Sequence, residues 1–166
     1  FTTDIISIGG SFDKQKFPSI IEQAQKALDS VGGTVECRVN GVKTGIGEPF
    51  FDSIESTMAH LLSSVPAVKG VEFGSEHDDR IGDAGGHTSS NNAGGVVGGI
   101  SNGNEIVVRA AIKPTPSISA EQQTFNFESG RVESLVIKGR HDVCITLRAA
   151  VVVEAAAAIA LADLSL

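Results

Sequence analysis

The stretch that most constrains this chain runs from Asn91 to Ser117, NNAGGVVGGISNGNEIVVRAAIKPTPS. Glycine costs backbone entropy on folding. The cluster Gly94, Gly95, Gly98, Gly99 and Gly103 therefore marks turns that need positive φ, or backbone running close to something else. The apolar run from Ile106 to Ile112, interrupted only at Arg109, reads as a strand. That strand delivers Lys113, Thr115 and Ser117 into a loop stiffened by Pro114 and Pro116. A cation, hydroxyls and free backbone N–H groups at one strand end suit an anionic ligand. A purely structural turn before a strand accounts for the glycines equally well. The spacing matches neither G-x-x-x-x-G-K-[ST] nor G-x-G-x-x-G, so it supports neither a phosphate loop nor a dinucleotide fingerprint.

The chain's 166 residues suit one well-packed domain, read here as residues 1–166. Nineteen glycines with no tryptophan or tyrosine favour tight turns and small-residue packing over an aromatic base-stacking platform. A net charge of −7 argues against nucleic acid or an anionic membrane as a bulk partner, while leaving room for a local basic pocket. Cys37 and Cys144 lie far apart without metal-ligand spacing and read as free thiols of a reducing cytosol. The apolar run Ala149 to Leu164 is too short for a membrane span and carries Glu154, so it reads as a buried helix. The chain opens at Phe1 with a strand already under way, as a piece of a longer protein would.

Taken in order, Thr2 to Ile8 is a β candidate ended by Gly9-Gly10. From Pro18 to Val31 the residues Ile20, Ile21, Ala24, Ala27, Leu28 and Val31 keep helical spacing, with Gly32-Gly33 as the expected C-cap. Thr34 to Val42 alternates as a half-exposed strand. A second helix carries an apolar face of Phe50, Ile54, Met58, Leu61, Leu62 and Val65, with His60 off that stripe. Pro66 stops it, and Val68 to Phe73 makes a further strand. Residues 75–90 collapse to small, polar and charged types and read as a mobile surface loop. Its His77, Asp78, Asp79 and His87 lack the spacing and apolar framing of a metal site.

Beyond the glycine-rich centre, Thr124 to Phe127 and Arg131 to Ile137 read as two strands turned at Ser129-Gly130. Gly139-Arg140-His141-Asp142 then packs a guanidinium, an imidazole and a carboxylate into three successive positions. Such clusters serve proton transfer when their environment shifts them; a capping aspartate with solvated neighbours is the structural alternative. Arg148 to Leu164 is apolar nearly all round and is expected between layers. The whole pattern predicts an α+β fold, a layered sandwich of helices against antiparallel sheet.

Four motifs occur in order: GIGEPFFDSIESTMAHLLSSVPAVKGVEFG, SNNAGGVVGGISNG, AIKPTPSI and GRHDVCI…RA…VVEAAAAIALADL. Together they resemble the C-terminal part of the chorismate synthase family, from about Gly41 to the end and excluding the loop. The resemblance implies a homotetrameric, cytoplasmic lyase that requires reduced FMN. It would eliminate phosphate from 5-enolpyruvylshikimate 3-phosphate to give chorismate in the shikimate pathway. It also implies a cofactor-binding set of Pro66, Ala67, Gly98, Lys113, Pro114, Thr115, Pro116, Ser117 and Arg140. Asp142 is implied to be the catalytic aspartate near flavin N5, and no metal is implied. Val143, Leu147 and Val151 stand where the family usually has proline. The family's two catalytic histidines and its Arg-Ser-Ser flavin segment belong to an N-terminal part without counterpart here. His60, His77, His87 and His141 take neither of those roles. A non-catalytic anion- or nucleotide-binding module on the same scaffold is the alternative reading.

Overall fold

The computed structural model describes every residue of the chain except Glu76, which falls within the loop expected to be mobile. Its centre is a four-stranded antiparallel sheet. The strands are β1 (Thr2–Ile8), β2 (Gly33–Val39), β3 (Val68–Phe73) and β6 (Ile106–Ile112), in the order β1-β2-β6-β3. Two hairpins stand apart from it: β4 (Val96–Val97) with β5 (Ile100–Ser101), and β7 (Gln122–Asn126) with β8 (Arg131–Leu135). Among the described residues there are three α-helices, α1 (Phe17–Lys26), α2 (Ile54–Ser64) and α3 (Thr146–Asp163), and two short 3-10 turns. The expected α+β class is the observed one.

Period-two alternation sends one set of side chains of each strand into the core. Val35, Cys37 and Val39 of β2 and Val108, Ala110 and Ile112 of β6 pack against Ile54, Met58 and Leu62 of α2. The same face receives Ala149, Val153, Ala157 and Ala160 of α3, whose small side chains let the helix lie close to the sheet. Glu154, the charge inside this apolar helix, accepts a 2.6 Å hydrogen bond from the Thr3 hydroxyl of β1. The opposite face of the sheet is polar. There Glu36 stands in register with Asp4 and Arg109, and Arg109 with Glu72. Arg109 Nε and Arg38 Nε each donate to a different Glu36 oxygen at 2.7 Å.

Three expectations are corrected. First, α1 stops at Lys26, and Gly33 begins β2, with Gly32 leading into it, instead of capping the helix. Leu28 turns left-handed at φ 58°, and the segment after it commits its polar groups to distant loops. Second, Phe50 was placed on the apolar face of the second helix, yet it sits in a 3-10 turn and is 86% exposed. Third, α3 was expected to be buried all round. Its inner side is buried, while Leu147, Val151 and Ile159 on the other side are exposed, Val151 by 70%. The sheet covers only one side of the helix.

Candidate functional site

The site grows from one end of the sheet, where β1 and β6 end and β2 and β3 begin. β6 runs out at Ile112, and Lys113 N–H donates to Ala67 O at 2.9 Å. That bond sets Pro66 and Ala67, the lead-in to β3, beside the Lys113–Ser117 loop. The turn between α1 and β2 then acts as a strap. Ser30 Oγ donates to Thr115 O at 2.6 Å. The next residue, Val31, donates its N–H to Val143 O at 2.8 Å. Successive residues of a single turn thus tie the Lys113 loop to the Arg140–Asp142 segment. Gly32 makes this possible: a Cβ there would lie 2.3 Å from Ile112 O and 3.0 Å from the Pro114 ring.

Arg140, His141, Asp142 and Arg148 line an open depression of about 280 Å³ at this end. The His141 ring is held by its Nε2, 3.1 Å from Ile137 O. The Asp142 carboxylate pairs with Arg148 NH1 at 3.2 Å. Lys113 and Arg140 form no ion pair among the described residues. The Thr115 hydroxyl is buried without a hydrogen-bond partner. Buried polar atoms are nearly always satisfied, so the unpartnered Thr115 hydroxyl, two residues along the loop from Lys113, is a candidate place for an anion's oxygen.

Of the sequence-predicted set, Pro66, Ala67, Lys113 to Ser117, Arg140 and Asp142 lie at this end, tied through the turn at Ser30 and Val31, although the depression itself is lined by Arg140 and Asp142 and not by the Lys113 loop. Gly98 does not. It lies at the tip of the β4–β5 hairpin, whose Gly99 O accepts the Ile54 N–H at the start of α2. Pro66 follows the other end of that helix. With 11 residues, α2 separates the two places by about 16 Å. The five glycines of the central cluster all take positive φ, from 62° to 87°, as their clustering predicted.

Sequence reasoning missed Ser30, Gly32 and Arg148. The first two were absorbed into an expected helix end. Arg148 was read as the first residue of a helix and as part of the family-like stretch GRHDVCI…RA, without a site role of its own.

A family model described as chorismate synthase matches residues 6–166. The chorismate synthase of Chitinophaga pinensis is 57% identical over 156 residues, covering 88% of this chain and 47% of the relative. That of Lachnoclostridium phytofermentans is 50% identical over 165 residues, covering 92% and 45%. A solved crystal structure of chorismate synthase superposes with a TM-score of 0.75 at 26% identity, over 97% of this chain and 55% of that one. The chain thus spans about half the length of the curated relatives it matches. With nearly its whole length matched by the family model and by these relatives, the chain belongs to the chorismate synthase family.

Proposed function

We propose that this chain is the C-terminal portion of a chorismate synthase. The enzyme would be a lyase eliminating phosphate from 5-enolpyruvylshikimate 3-phosphate, with reduced FMN as cofactor. The observation that supports this reading is the pair of bonds from one turn, Ser30 Oγ to Thr115 O and Val31 N–H to Val143 O, which ties the Lys113 loop to the Arg140–Asp142 segment, with Lys113 and Arg140 without ion pairs among the described residues and the Thr115 hydroxyl unsatisfied. These groups fit a phosphate-bearing cofactor beside a highly anionic substrate.

When bound, reduced FMN supplies electron density that assists departure of the substrate's phosphate. The chain's own residues do the rest of what is assigned here. Lys113 and Arg140 hold anionic oxygens by charge-assisted hydrogen bonds. Thr115 and Ser117 add hydroxyl donors, and Pro114 and Pro116 keep the loop in one conformation. Pro66 and Ala67 are held beside the loop by the bond from Lys113 N–H to Ala67 O. The Asp142 carboxylate gives or takes a proton at flavin N5. Gly98 stands apart from this set, and its place requires an extended ligand or a contribution from a neighbouring copy in a homotetramer. The exposed outer side of α3 is the surface that the remainder of a longer protein would cover. The two free cysteines fit a cytoplasmic setting, and no helix among the described residues is long and apolar enough to cross a membrane.

The test pairs an intact-mass measurement with two variants of the full-length protein. Arg140→Ala is expected to weaken FMN binding about ten- to hundredfold, since a charge-assisted hydrogen bond contributes about 1.5–3 kcal/mol. Asp142→Asn keeps the shape but loses the exchangeable charge. FMN should stay bound while turnover falls by about 10²–10⁴. Chorismate is followed with anaerobically reduced FMN. A protein of full family length that binds FMN without forming chorismate is the non-catalytic module instead. One that binds no FMN at all defeats the reading outright.

A further inference from the structure

We infer that Arg148 is a positioning residue for Asp142, a role that rests on the reading of Asp142 above. The Asp142 carboxylate has one recorded side-chain partner among the described residues, Arg148, at 3.2 Å. The backbone around it has no regular secondary structure. Two other bonds hold this stretch. Val31 N–H bonds to Val143 O, and the His141 ring sits against Ile137 O. Neither constrains the direction in which the carboxylate points.

Arg148 does, because its base is fixed. It lies in the first turn of α3, with Thr146 buried on one side of it and Ala149 on the other. A loop carboxylate is thereby aimed from a rigid element. The Arg148 side chain is 70% exposed, so the pair contributes little to folding. Its value lies in orientation, where a misplacement of about 1 Å can cost roughly a hundredfold in rate.

The experiment is a double-mutant cycle in the full-length protein, using Arg148→Gln, Asp142→Asn and the pair. Steady-state kinetics, FMN affinity and amide hydrogen exchange over residues 139–143 are measured for each. Arg148→Gln is expected to speed exchange in that segment, lower kcat about ten- to hundredfold, and leave KM and FMN affinity within about twofold. It should have no further effect once Asp142 is already Asn, because the two act as a unit. Arg148→Lys should restore a substantial part of the rate. A merely structural role would lower stability and move none of these ratios. The substituted side chain is exposed, so the variant folds, and a melting curve verifies it. Unchanged exchange, or losses that multiply in the double variant, overturn the positioning role while leaving Asp142 in place. Full turnover by Asp142→Asn alone overturns both assignments together.

Discussion

Gly32 offers the sharpest test of how the site end is assembled. An alanine methyl there would sit 2.3 Å from Ile112 O and 3.0 Å from Pro114 Cδ. Ordinary contact begins near 3.4 Å, so the two segments must part by about 1.1 Å. Neither neighbour can escape by changing rotamer. One is a backbone carbonyl inside the sheet and the other a proline ring. Overpacking of this kind costs about 1–3 kcal/mol. For a chain of this size each kcal/mol lowers Tm by about 2–4 °C, which makes the expected loss about 2–12 °C. The displaced residues lead straight into Lys113 and Thr115, so FMN affinity should fall with stability. Gly70→Ala is the control, because its methyl meets only Ala111 Cβ at 3.5 Å, an ordinary contact. Differential scanning calorimetry and FMN titration on both variants decide the matter. If Gly32→Ala melts and binds like Gly70→Ala, the strap does not set the loop.

Two further outcomes are expected. Burial pushes the Glu36 carboxyl up, but hydrogen bonds from Arg109 and Arg38 outweigh it and hold the group below its usual value of 4.5. A folded value below the unfolded one means the stabilisation is present above about pH 4.5 and lost as pH falls through the folded value. Glu36→Gln should therefore cost about 1–2 kcal/mol at neutral pH and flatten the acid limb of stability. An acid limb as steep as the wild type's counts against the pairing. The 166-residue chain should also self-associate through the exposed side of α3, where Val151 is 70% exposed and Ile159 59%. Val151→Lys with Ile159→Lys should shift light scattering towards monomer; an already monodisperse parent would sink this expectation.

Periodicity made much of the fold readable. Alternation along Val35–Val39 and the run Ile106–Ile112 became adjacent strands of one sheet. The stripe Ile54, Met58 and Leu62 became the buried face of α2. The glycine cluster foretold its positive φ values, because only glycine adopts them without strain. These are local rules, and the local sequence determined them. Lys113, Arg140 and Asp142 stood out as candidate chemistry for the same reason: each sits in a short motif that carries its own charge.

What joins those motifs was decided elsewhere. Ser30 and Val31 read as the end of a helix until Thr115 and Val143, 85 and 112 residues away by number, took their hydrogen-bonding groups. Phe50 fitted a helical stripe but lies outside the helix, since Ser53 caps α2 through its hydroxyl at Ser56 N–H. Gly98 shares a motif set with Lys113, yet α2 holds them at opposite ends. Arg148 gained its role only when α3 brought it against Asp142. The nearly uniform apolar character of α3 could not show which side would be covered, because periodicity is silent when every face is hydrophobic. Local pattern determines which backbone a segment adopts; which segments then meet depends on burial and hydrogen bonds between residues far apart in the chain, and only the tertiary structure supplies those.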